Sequence, residues 1–109
     1  MTKLKAILID DEKGSLESLS YELREYCPEV EVVASSQDPK EGLRLIQKWS
    51  PDLLFLDIEM PGMNGFELLQ QLGDVSLHVI FVTAYDQFAI RAFDFNAIDY
   101  VLKPVRKTK

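Results

Sequence analysis

Leu53-Leu54-Phe55-Leu56-Asp57 decides the fold: four apolar residues in a row, stopped by an acid. The run does not alternate between apolar and polar residues, so both faces of the segment are buried. Short runs of this kind suit strands inside a parallel sheet. Two others share the form. Ala6-Ile7-Leu8-Ile9 stops at Asp10, and Val79-Ile80-Phe81-Val82 stops at Thr83. Periodicity alone leaves buried helix open; the shortness of the runs and their β-branched content favour strand.

Two weaker strands flank these three. Val30-Glu31-Val32-Val33 partly alternates, as an edge strand does, and Tyr100-Val101-Leu102 ends at Lys103-Pro104. The intervals read as helices. Leu16, Leu19, Leu23 and Tyr26 share one helical face between Gly14 and Tyr26, and Pro28 ends that helix. Asp38-Pro39 reads as an N-cap followed by proline at the first helical position. That second helix buries Leu43, Leu45 and Ile46 and stops before Ser50-Pro51. Phe66, Leu68, Leu69 and Leu72 mark a third helix closed near Gly73. Asp86 is expected to cap a fourth, running through Phe88, Ile90, Ala92 and Phe93.

The βαβαβαβαβ order predicts an α/β domain: a doubly wound, five-stranded parallel sheet with right-handed crossovers, spanning residues 1–109. Five residues follow Pro104, too few for the helix that would cover the last strand. That final helix is therefore expected to be truncated or missing.

The 109 residues are 47% hydrophobic and 28% charged, a globular balance sized for one domain. No apolar run approaches the roughly 20 residues of a membrane span. The first apolar run ends in acids after four residues, unlike a secretory signal, so a cytoplasmic location is expected. A formal net charge of −6 argues against this domain gripping nucleic acid. Cys27 is a lone cysteine, so no internal disulfide forms, and it reads as a small residue at a helix end.

In an open parallel sheet, ligands bind outside the carboxyl ends of the strands. There this sequence places Asp10-Asp11-Glu12, Asp57, Thr83 and Lys103. Crowded carboxylates repel unless something neutralises them. A hard divalent cation such as Mg²⁺ does so with oxygen ligands, and the lack of His or Cys near these ends argues against Zn²⁺. Two roles stay open for Asp57: metal ligand, or nucleophile toward phosphorus. Lys103 supplies a cation and Thr83 a donor for phosphoryl oxygens. No Gly-rich nucleotide loop is present, so the phosphoryl donor must come from elsewhere.

These residues resemble the receiver domains of two-component response regulators. The resemblance rests on Ile9-Asp10-Asp11-Glu12, Leu56-Asp57 through Gly65, Val82-Thr83-Ala84 and Tyr100-Val101-Leu102-Lys103-Pro104, in order and at matching strand ends. It implies a flavodoxin-like strand order 2-1-3-4-5. It implies that Asp57 takes a phosphoryl group from a sensor histidine kinase, with Mg²⁺ held by Asp10, Asp11, Asp57 and the backbone carbonyl of Glu59. Thr83 and Lys103 would contact the phosphoryl group, Thr83 and Tyr100 would form the switch, and the Lys103-Pro104 bond would be cis. Phosphorylation would favour a homodimer through the fourth helix and fifth strand. Such a domain modifies itself and is not a turnover enzyme. The stretch from Thr83 to Phe93, with Asn96 to Tyr100, is similar to receivers attached to LytTR-type DNA-binding domains, which implies a transcription regulator.

Blander readings compete. Asp10-Asp11-Glu12 alone is a solvated turn, and Tyr100 alone is a packing aromatic. His78 reads as a surface residue and Trp49 as helix-end packing. Phe88, Phe93 and Phe95 read mainly as core, and Pro61 and Gly65 as turn formers. Two other functions fit the strand pattern. An aspartate-nucleophile phosphatase of the haloacid-dehalogenase type would use a second acid at Glu59, but the rest of its motif is missing. A flavodoxin-like cofactor carrier would need a phosphate-cradling loop after the first strand, and none is there.

Overall fold

The three unalternating apolar runs are the three inner strands. In the computed structural model, which describes residues 3–73 and 76–104, these are β1 (Leu4–Ile9), β3 (Leu53–Leu56) and β4 (His78–Thr83). β1 pairs with β3 and β3 with β4, both in parallel. β2 (Val30–Ser36) and β5 (Asp99–Leu102) form the edges, giving the order β2-β1-β3-β4-β5 of the flavodoxin-like fold.

The pleat explains why the runs are apolar throughout. Ala6 and Leu8 face one side of β1, and Ile7 and Ile9 the other. Ala6, Leu8, Leu53, Phe55 and Val82 pack with Leu16, Leu19 and Leu23 of α1 (Lys13–Tyr26). Ile7, Ile9, Leu54, Leu56 and Phe81 pack under α2 (Pro39–Trp49), α3 (Gly65–Leu72) and α4 (Ala89–Phe93) through Ile46, Phe66, Leu68 and Ala92.

Local signals hold the helix ends. The Asp38 carboxylate accepts from the Lys40 N–H at 3.2 Å, with Pro39 opening α2. Asn64 and Glu67 form a reciprocal capping box at α3: Asn64 Oδ1 accepts from Glu67 N, and Glu67 Oε1 accepts from Asn64 N. Gly73, at φ 69°, closes α3 in a backbone region that favours glycine. Trp49 ends α2 half-buried against the core, Cys27 follows α1, and His78 is exposed.

Several expectations need correction. Asp86 does not cap the fourth helix. Phe88 precedes α4, and the Asp86 carbonyl only accepts from Ala89 N at 3.3 Å. Phe88, Ile90, Ala92 and Phe93 do not share one helical stripe, so α4 is five residues long and buries only Ala92. Ile90 is 83% and Phe93 76% exposed, so Phe93 is not core. Tyr26, placed by spacing on the buried face of α1, is exposed. The expectation about a final helix falls on residues 105–109, outside the described residues. The Lys103-Pro104 peptide bond is cis. Among the described residues, no helix is long and apolar enough to cross a membrane.

Candidate functional site

Parallel pairing brings the carboxyl ends of β1, β3, β4 and β5 to one edge. Asp10 and Asp57 follow β1 and β3, tied across by Asp57 N donating to the Ile9 carbonyl at 3.0 Å. Asp10 N donates to the Ser36 carbonyl at 3.1 Å, which fixes the same loop to β2. One carboxylate oxygen from each of Asp10, Asp11 and Asp57 lies within 4.8 Å of the others. Asp10 and Asp57 are buried and Asp11 half-buried. This all-oxygen donor set suits a hard divalent cation.

Lys103 reaches into the cluster. Its Nζ is 2.9 Å from Asp10 Oδ2, 3.2 Å from Asp57 Oδ2 and 2.8 Å from Glu12 Oε1. Lys103 N donates to the Thr83 carbonyl at 2.8 Å, so β4 positions the lysine's backbone. Thr83 is fully buried, and its hydroxyl oxygen accepts from Tyr85 N at 3.4 Å. Tyr100 O–H donates to the Tyr85 carbonyl, and its ring centroid lies 6.3 Å from that of Phe81. From there an aromatic chain continues through Phe66 to Phe95 and Phe88, at 5.0–6.2 Å between centroids.

Residues 6–109 match the family described as response regulator receiver domain. The chain belongs to that family. An uncharacterized response regulatory protein of Vibrio cholerae is 48% identical over 103 residues, covering 94% of this chain and 43% of its own length. The transcriptional regulatory protein BtsR of Escherichia coli K12 is 36% identical, over 97% of this chain and 44% of its own. The receiver thus spans less than half of these curated relatives. The solved response regulatory domain of mrkE from Klebsiella pneumoniae superposes with a TM-score of 0.85 at 31% identity, covering 94% of this chain and 85% of that one.

Burial opposes charge on the aspartates of this receiver's pocket. Burial pushes the Asp10 carboxyl up to about 6, against hydrogen bonds from Glu12 N and Lys103. Burial raises Asp57 too, opposed by Lys103, the Ile58 N–H and Thr83. For Lys103, burial alone would lower the ammonium, but Glu12, Asp10 and Asp57 outweigh it and hold it above its ordinary value. Lys103 draws the exposed Glu12 carboxyl below the usual range.

Asp10, Asp11, Asp57, Thr83 and Lys103 meet at this edge, while Tyr100 connects to it through the Tyr85 carbonyl. Glu59 lies two residues beyond Asp57 with its side chain exposed. Three contributors carried no clear signal. Gly65 is no mere turn former. A Cβ there would meet the Asp57 carbonyl oxygen at 2.5 Å, so glycine lets α3 approach the phosphoacceptor-candidate backbone, with Gly65 N donating to the Ile58 carbonyl. Gln37 Nε2 donates to the Asp11 carbonyl at 3.1 Å. Glu12 stood beside the aspartates with no separate role, and its bond to Lys103 spans 91 positions.

Proposed function

We propose that this receiver is a switch in which Asp57 accepts a phosphoryl group from a phosphohistidine of a sensor histidine kinase. The supporting observation is the juxtaposition of three aspartate oxygens, the Lys103 ammonium and the buried Thr83 hydroxyl at adjoining strand ends. Asp10, Asp11 and Asp57 would hold Mg²⁺, with the Glu59 backbone carbonyl. Bound there, the ion would neutralise phosphoryl oxygens and carboxylates together.

The residues of the chain do the rest. The Asp57 carboxylate attacks phosphorus, an O–P bond forms, and the P–N bond of the donor breaks, its electron pair staying on the imidazole. Lys103 leaves Asp10 and Asp57 and pairs with the new phosphoryl oxygens. The Thr83 hydroxyl donates to one of them and gives up Tyr85 N. That change reaches Tyr100 through the Tyr85 backbone. The domain acts on itself and turns over no external substrate.

The response face is α4 with β5, where Ile90, Phe93, Ile98 and Leu102 are exposed. A second copy docks there when Asp57 is phosphorylated. The sequence from Thr83 to Tyr100 supports an output half of LytTR type, and the likeness to the transcriptional regulatory protein BtsR supports transcription as the output. The whole chain, 1–109, is the phosphoacceptor part of a cytoplasmic regulator, and DNA contact belongs to the output half.

Incubation with acetyl phosphate and Mg²⁺, read by intact mass, tests the reading. The wild type gains one phosphoryl group and Asp57→Asn gains none. An unshifted wild type, or a variant that shifts equally, contradicts it.

A further inference from the structure

Glu12 occupies the N-cap position of α1, yet its side chain makes no cap hydrogen bond. An N-cap side chain ordinarily accepts from the first-turn N–H groups. Here it turns the other way. Glu12 Oε1 accepts from Lys103 Nζ at 2.8 Å and from the Ser15 hydroxyl at 3.2 Å. Its own N–H donates to Asp10 Oδ1 at 2.9 Å. One residue therefore holds both an aspartate of the cluster and the cation that neutralises it. The two partners of Lys103 inside the pocket are buried, while the Glu12 side chain is 64% exposed and that of Lys103 only 11%. Glu12 is the outer anchor of the ammonium and Asp10 with Asp57 the inner one.

We propose that Glu12 is a positioning residue that gives Lys103 a resting place at the mouth of the pocket. Lys103 is an internal counter-ion for Asp10 and Asp57, and an arriving divalent cation must displace it. Two cations cannot share those oxygens without strong repulsion. Glu12 keeps its grip on the ammonium as the inner contacts are released, so displacement does not leave Lys103 without a partner. This rests on the phosphoryl-site reading and adds who controls access of the metal.

Titration calorimetry with MgCl₂ alone, on the full chain, tests it in five proteins: wild type, Glu12→Gln, Glu12→Asp, Lys103→Met, and Glu12→Gln with Lys103→Met. Lys103→Met is expected to bind Mg²⁺ about 3–10-fold tighter than wild type, because no ammonium has to leave. Glu12→Gln is expected to bind about 3–10-fold weaker. In the Lys103→Met background the same Glu12→Gln change costs less than about 2-fold, because the group it acts through is gone. Glu12→Asp keeps the charge, loses the reach, and follows Glu12→Gln; this comparison stands even where Lys103→Met fails to fold. Glu12→Asp binding like wild type, or an equal Glu12→Gln effect in both backgrounds, would reduce Glu12 to a distant charge and overturn the inference alone. A folded wild type that binds no Mg²⁺ overturns the phosphoryl-site reading, and this inference with it.

Discussion

Ile7, Leu8, Leu54 and Leu56 in β1 and β3 are fully buried, whereas α4 buries only Ala92 and turns Ile90 and Phe93 to solvent. The two halves of the sheet share one architecture and differ in how deeply they are anchored. β1 and β3 have neighbours on both edges and helices over both faces. β5 is an edge strand, and its companion helix has five residues. A site that must place a few oxygens accurately gains from the first kind of packing. An element that must change its surface gains from the second, because shallowly packed segments rearrange at low cost. The phosphoacceptor candidate Asp57 sits on the deep half, and the apolar surface open to a partner sits on the shallow half.

That contrast breaks most readily by truncation. Leu56→Ala in β3 is expected to cost about 3 kcal/mol of unfolding free energy, and Phe93→Ala in α4 less than about 0.5 kcal/mol. Urea denaturation measures both. Similar losses at the two positions would mean that α4 is as firmly anchored as β3.

The next largest effect belongs to Asp10. Its folded carboxyl is pushed up to about 6 from the ordinary 3.8, so the metal-free folded state binds this proton more tightly than the unfolded chain. The associated stability is present below the ordinary value and is lost as pH rises through about 6. Asp10→Asn should therefore be more stable than wild type by about 1–3 kcal/mol at pH 7 without metal, and the gap should close toward pH 4. Thermal unfolding across that range checks the sign. A gap that widens on acidification would place the charge balance of the pocket elsewhere.

Tyr100→Phe gives a smaller change than Leu56→Ala or Asp10→Asn. It keeps the ring beside Phe81 and removes the bond to the Tyr85 carbonyl, for an expected loss of about 0.5–1.5 kcal/mol in urea denaturation. No loss would mean that this bond does not help hold the shallow half in place.

The deep half was also the legible half. The runs at Ala6, Leu53 and Val79 announce strands buried on both faces, because no polar residue interrupts them, and their ends place Asp10, Asp57 and Thr83 on one edge. Asp38-Pro39 marks the start of α2 for the same local reason. The shallow half misled. Asp86 has the chemistry of a cap, and Phe88 to Phe93 has the apolar content of a helix, but the spacing does not make one face. Tertiary contacts with Phe66 decide where the aromatics go. Gly65 and Glu12 were opaque for another reason. Their partners are the backbone after β3 and a side chain beyond β5, and sequence distance hides both.

Phosphoryl chemistry on the deep half is proposed to be felt on the shallow half. Amide hydrogen exchange with and without acetyl phosphate and Mg²⁺, on protein whose phosphorylation is confirmed by intact mass, tests it most directly. Protection is expected to change between Thr83 and Leu102, with the inner residues of β1 and β3 unchanged. Unchanged protection from Thr83 to Leu102 in the phosphorylated protein would contradict it.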